Sequence, residues 1–137
     1  MAGRWVSPEG TNMPPHYANG KICYLEIPAS DVKASSSFYA EVFGWSLRKH
    51  ADGSLAFDDG VGEVSGMWVT DRPPMREPGI IISIMVDDAA AAVDKLTAAG
   101  AEIVRPLDPN GQEIIAWFRD PGGNVLGIYQ EPTMSSS

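Results

Sequence analysis

The chain has one cysteine, Cys23, and two histidines, His16 and His50, in 137 residues. A single thiol excludes an intrachain disulfide and any Cys-rich zinc site. With both histidines falling in expected loops, no Ser-His-Asp or Cys-His catalytic arrangement can be assembled. Basic residues are also scarce: 10 Lys and Arg against 18 Asp and Glu give a net charge of −8, without a basic cluster, which argues against a nucleic-acid partner. No apolar run reaches the roughly 18–20 residues of a membrane span. The opening MAGRWVSPEGTNMPP holds no apolar block of the secretory type, so the expected setting is cytoplasmic, without a membrane partner. The remaining composition, 44% hydrophobic and 20% charged, is that of a globular chain, long enough for one domain or for two small modules sharing a core.

The pattern of elements runs twice. Lys21–Ile27 alternates, with Cys23, Leu25 and Ile27 on one face and Tyr24 and Glu26 on the other, as a half-buried strand does. Ser30–Asp31 then starts a helix, with Val32, Tyr39 and Val42/Phe43 at helical spacing and Gly44 at its end. Short runs separated by turn signals follow, WSLRKH, SLAF and EVSGMWV, and predict a three-stranded antiparallel meander. After the Pro-rich TDRPPMREPG the pattern returns. A strand ends at Val86, Asp87 or Asp88 starts a helix with Ala92/Val93 and Leu96 on its stripe, Gly100 ends it, and AEIVRP, EIIAWFR and NVLGIYQ make a second meander. Asp31 to Gly44 and Asp87 to Gly100 both span 13 positions. The expected organisation is an irregular arm at 1–19, a βαβββ module at 20–70, a linker at 71–79, a second βαβββ module at 80–131 and a tail at 132–137. The fold class is α+β: each unit alone is too small to bury a helix and a sheet, so the two join as one curved mixed sheet with an internal cup and helices outside.

Alternation assigns Cys23, Leu25, Ile27, Ile82, Ile84 and Val86 to the helix side, and Tyr24, Glu26, Ile81, Ser83 and Met85 to the cup. Two strands carry a glycine where glycine weakens a strand: Gly66 in EVSGMWV and Gly127 in NVLGIYQ, each followed two residues later by an aromatic, Trp68 or Tyr129. Equal spacing places all four in the cup, where rings beside a bare floor would form a slot for a flat ligand; rings that simply fill the cup or cover a subunit interface are the competing reading. Trp117 or Phe118 lines the same space, the strand phase leaving both open. Glu26, buried beside Tyr24, would act as a general base; solvated or paired with Arg or Lys, it would not. Cys23 is expected to be a buried core residue.

FYAEVFGW at Phe38–Trp45 and FRDPGGNVLGIYQ at Phe118–Gln130 resemble the glyoxalase/bleomycin-resistance/dioxygenase family, also called the vicinal oxygen chelate superfamily, in the branch related to lactoylglutathione lyase. The resemblance spans about residues 20–131 and implies the βαβββ repeat and dimers. It also implies that metal-binding members place ligands at the positions of Tyr24, Gly66, Ile81 and Gly127, none of which suits a divalent cation. The expectation is therefore a protein without metal or cofactor that binds a small organic molecule, aromatic ones included, through Tyr24, Glu26, Gly66, Trp68, Ile81, Ser83, Met85, Trp117, Gly127 and Tyr129, as a homodimer. Two alternatives stay open: a metal-independent isomerase or lyase with Glu26 as base and Tyr24 assisting, and a metal-dependent lyase or dioxygenase with displaced ligands.

Overall fold

The structure, a computed structural model, describes residues 16–108, 110–111 and 114–131. The expected arm over 1–15 and the tail over 132–137 lie outside the described residues. The element order is β1 (Tyr24–Pro28), α1 (Val32–Phe43), β2 (Ser46–Lys49), β3 (Leu55–Asp58), β4 (Ser65–Val69), β5 (Ser83–Val86), α2 (Ala89–Ala98), β6 (Glu102–Arg105), β7 (Ile114–Arg119) and β8 (Val125–Gln130). This is βαβββ twice. Among the described residues, no helix is long and apolar enough to cross a membrane.

Local chemistry sets the helix ends. The Asp31 carboxylate accepts the Ala34 N–H and the Asp88 carboxylate the Ala91 N–H, so each caps the first turn of its helix. Gly44 closes α1 at φ 72°, in the left-handed region a side chain would oppose.

Each module forms its own four-stranded mixed sheet, ordered β1-β4-β3-β2 and β5-β8-β7-β6. The first and last strands of each module pair in parallel and the meander strands antiparallel. The eight strands thus make two sheets, not the single one expected, and β1 and β5 each carry a free edge in the chain. The modules are joined through their interior faces. Phe38 and Phe43 of α1 lie 6.0 and 5.8 Å from the Phe118 ring of β7, and one cluster of buried residues runs from Ile27 and Trp68 to Leu126 and Ile128. Cys23, expected in the core, is exposed just ahead of β1.

The DPGG turn is a second joint. Buried Asp120 accepts the Tyr39 hydroxyl proton at 2.8 Å and the Asn124 backbone N–H at 2.8 Å. The Asn124 amide donates to the Pro28 carbonyl at 2.7 Å, and its side-chain oxygen accepts the Met75 N–H at 2.8 Å. One turn therefore holds α1, the end of β1 and the interior of the linker, with the polar atoms satisfied as burial demands.

Candidate functional site

Strand register decides what faces what, because directly paired residues project to the same side. In the second module Ser83 pairs with Gly127, Gly127 with Trp117 and Trp117 with Arg105; Met85 pairs with Tyr129 and Tyr129 with Ile115. Ser83, Met85, Trp117, Gly127 and Tyr129 therefore share the face away from the core, while Phe118 is fully buried on the other. The Arg105 guanidinium stands 5.3 Å from the Trp117 ring centre.

The first module departs from expectation. Leu25 pairs with Gly66, Gly66 with Phe57, and Ile27 with Trp68. Gly66 and Trp68 thus lie on the core face, not in the cup. Trp68 is 3% exposed, with its ring 4.8 Å from Phe57 and 6.1 Å from Tyr39. The cup face instead carries Tyr24, Glu26, Ser65 and Met67. Matching glycine to glycine misaligns the copies by one residue. The partner geometry makes Met67 the counterpart of Gly127, and a one-residue slip turns a strand over.

Neither glycine leaves a bare floor. A Cβ on Gly66 would collide with the Phe57 ring and the Leu25 carbonyl oxygen. A Cβ on Gly127 would meet Ile81 Cγ2 and Ser83 Oγ at 3.0 Å and Trp117 Cδ1 at 3.3 Å. Both glycines make room for their own neighbours, so the expected slot above Gly127 is occupied by Ile81, Ser83 and Trp117.

Glu26 and Tyr24 share a face but are exposed. Glu26 pairs with Arg72 at 2.8 Å, and that hydrogen bond raises the guanidinium further above its ordinary value. Glu26 is thus a paired surface carboxylate, not a desolvated one. The positions expected for metal ligands do not fit a metal here: Tyr24, Ile81 and Gly127 offer no carboxylate or imidazole, and neither does Gly66 nor the Ser65 and Met67 that flank it in β4. Among the described residues, no three His, Cys, Asp or Glu side chains come together.

The cavity lies elsewhere. A space of about 400 Å³ opens along β5, between its free edge and the first module. Its walls are Leu25, Phe43, Trp45 and Phe57 on one side and Ile82 and Ile84 on the other, and the 59–64 loop closes one end. Ser83 and Met85 are the two expected residues that reach it. The wall is backed by a ring stack: Tyr39, Trp45 and Phe57 stack at 4.6 and 4.5 Å. Asp59, the lining acid, accepts the Glu63 and Val64 N–H groups at 2.8 and 3.2 Å and so folds the loop. Glu63 then anchors the chain entering β1, with Lys21 Nζ at 2.9 Å and His16 Nδ1 at 2.7 Å. These two contacts hold its carboxyl at about 2, well below the usual range.

The aromatic wall was not picked out from the sequence. The available signal was Phe43 and Trp45 bracketing the Gly44 cap, followed by one core-facing aromatic in each of β3 and β4, Phe57 and Trp68.

A model of the Glyoxalase/Bleomycin resistance protein/Dioxygenase superfamily matches residues 21–128. The chain belongs to this superfamily. Within it, the chain is 29% identical over 133 residues to a "Probable lactoylglutathione lyase" of Vibrio parahaemolyticus, covering 87% of this chain and 96% of that one. It is similar in structure to TnmS3, described as an antibiotic binding protein from Streptomyces sp. CB03234, at TM-score 0.63 and 26% identity over 84% of this chain and 98% of that one. A superfamily member from Sphaerobacter thermophilus shares the fold at TM-score 0.67 and 21% identity, over 82% of this chain and 98% of the other.

Proposed function

We propose that this superfamily member binds and holds a small, mainly apolar organic molecule in the cavity beside β5, without a metal ion and without covalent chemistry. The observation that carries this reading is the cavity itself: about 400 Å³, within the range of small-molecule sites, and walled by aromatic and aliphatic side chains with few polar groups. The flat stacked wall of Trp45 and Phe57 suits an aromatic ligand. Supporting it, Glu26 is paired and exposed, and no cluster of metal-binding side chains is present among the described residues. The similarity to an antibiotic binding protein points to the same class of activity.

The protein acts as a cytoplasmic homodimer in this reading. Tyr24 and Met85 are 50% and 58% exposed on sheet faces whose β1 and β5 edges are unpaired, a surface that a second copy would cover.

Native mass spectrometry of freshly purified protein tests the proposal. The expected species is a dimer free of stoichiometric metal, alone or carrying an organic adduct. One divalent ion per subunit contradicts it. If Glu26 were instead a general base, Glu26→Gln would lower turnover of a substrate roughly 10²–10⁴-fold; on the binding reading it leaves ligand affinity within about twofold.

A further inference from the structure

The cavity beside β5 has few polar side chains, and the Asp59 carboxylate among them already accepts two loop N–H groups. Its larger polar feature is backbone. β5 is the outer strand of its sheet, with β8 on one side and the cavity on the other. The Gly127 N–H donates to the Ile82 carbonyl at 2.9 Å. Along a parallel pair, alternate residues turn both backbone groups to the neighbouring strand, so Ile82, Ile84 and Val86 face β8. The N–H and C=O of Ser83 and Met85 point the other way, toward the first module, and both residues line the cavity.

Such groups make a demand once they are covered. Ser83 is exposed, so solvent reaches its N–H and C=O while the cavity is open. A ligand that fills the space excludes that solvent. A ring system with no polar edge would leave the donor and the acceptor buried and unpaired, which lowers affinity. β1 shows the same demand met inside the chain. The Pro28 carbonyl, turned away from β4 as that of Ser83 is from β8, accepts the Asn124 amide at 2.7 Å. The Ser83 backbone groups have no such partner among the described residues.

We infer that the ligand of this cavity is a flat ring system with an amide-type edge, a lactam or a secondary carboxamide, whose carbonyl accepts the Ser83 N–H and whose own N–H donates to the Ser83 carbonyl. This rests on the proposed pocket and adds the ligand's functional group and the atoms that read it. The pairing is the one a neighbouring strand makes with a strand edge. Trp45 and Phe57 supply stacked rings in the wall across from β5. A lactam fused to an aromatic ring is coplanar with it, so one flat molecule presents its face to the rings and its edge to the strand.

The test measures displacement of fluorescent N-phenyl-1-naphthylamine from the full chain by 2-quinolinone, which has the lactam N–H and C=O, by 1-methyl-2-quinolinone, which lacks the N–H, and by naphthalene, which lacks both. 2-Quinolinone is expected to bind roughly ten- to hundredfold more tightly than its N-methyl analogue. It should also move the Ser83 amide proton downfield and slow its exchange, while the Ile84 amide, turned to β8, stays as it was. Ser83→Pro removes an N–H on the open side of an edge strand, where proline is tolerated, and should bring the two quinolinones to within about threefold of each other. Equal affinities in the wild type overturn the inference, as does an unmoved Ser83 amide or an unchanged ratio in folded Ser83→Pro. A Ser83 amide already protected in the ligand-free protein overturns it too, because a strand of a second copy then holds the edge. If Ser83→Pro does not fold, the wild-type ratio and the Ser83 amide decide between the outcomes. In each overturning case N-phenyl-1-naphthylamine still binds and the pocket reading stands. If it does not bind the wild type, the pocket reading fails and this inference with it.

Discussion

Gly66 and Gly127 stand on opposite faces of their sheets and do one job, leaving space for a neighbouring side chain. The space at Gly66 is bounded by backbone, so Gly66→Ala is expected to cost about 2 kcal/mol or more, through displacement of the Phe57 ring and the Leu25 carbonyl. At Gly127 the contacts are side-chain atoms at 3.0–3.3 Å that can yield, so Gly127→Ala should cost less than about 1 kcal/mol. Urea unfolding of the two variants checks the order, and equal losses would contradict the assignment of faces. Asp120 gives a pH prediction at the same scale. Burial raises its carboxyl above the ordinary value of 3.8, against the pull of the Tyr39 and Asn124 hydrogen bonds. Folding therefore favours its protonated form, a contribution complete below the unfolded value and lost as pH rises through the folded one. Wild-type stability relative to Asp120→Asn should fall as pH rises from about 3 through the upper carboxylate range; parallel pH profiles would contradict this. At this scale the sequence was only partly legible. Alternation put Ser83, Met85 and Gly127 on one face, but two glycine–aromatic pairs of equal spacing concealed a register difference that long-range pairing fixes.

Elements follow from local chemistry more directly. The Asp31 and Asp88 caps and the Gly44 stop were visible as residue types at the right spacing, because a cap depends on atoms within four residues. Asp31→Ala and Asp88→Ala should each cost about 1 kcal/mol, read from thermal or urea unfolding. Strand starts were less legible: β5 begins at Ser83, well after the start of the apolar run, because pairing with β8 and not hydrophobicity defines it. The 59–64 loop has a pH signature of the opposite sign to Asp120. The folded-state value of Glu63, about 2, lies below its ordinary 4.5, so its contribution is present above 4.5 and is lost as pH falls toward 2. Glu63→Gln should remove that acid-range dependence and speed amide exchange at residues 16–21, which Glu63 anchors through His16 and Lys21. Unchanged exchange there would show that the anchor contributes nothing.

At the scale of the molecule the repeat is a division of one core. Phe118 belongs to the second module but packs against Phe38 and Phe43 of the first, so Phe118→Ala should cost about 3–5 kcal/mol and destabilise both modules in a single transition. Two separate transitions would contradict a shared core. The repeat and the fold were legible because they rest on periodicity and on two motifs; the cavity was not, because it is bounded by residues from β1, α1, the 59–64 loop and β5, which only the fold brings together. The central claim is that this cavity takes an apolar organic molecule without metal. The most direct test is a fluorescence titration with N-phenyl-1-naphthylamine after dialysis against EDTA, comparing the wild type with Val64→Trp, which places an indole in the cavity. The account predicts saturable wild-type binding that EDTA leaves intact and that Val64→Trp, still folded by circular dichroism, weakens at least tenfold. Binding that disappears with EDTA, or that persists undiminished in folded Val64→Trp, would contradict it.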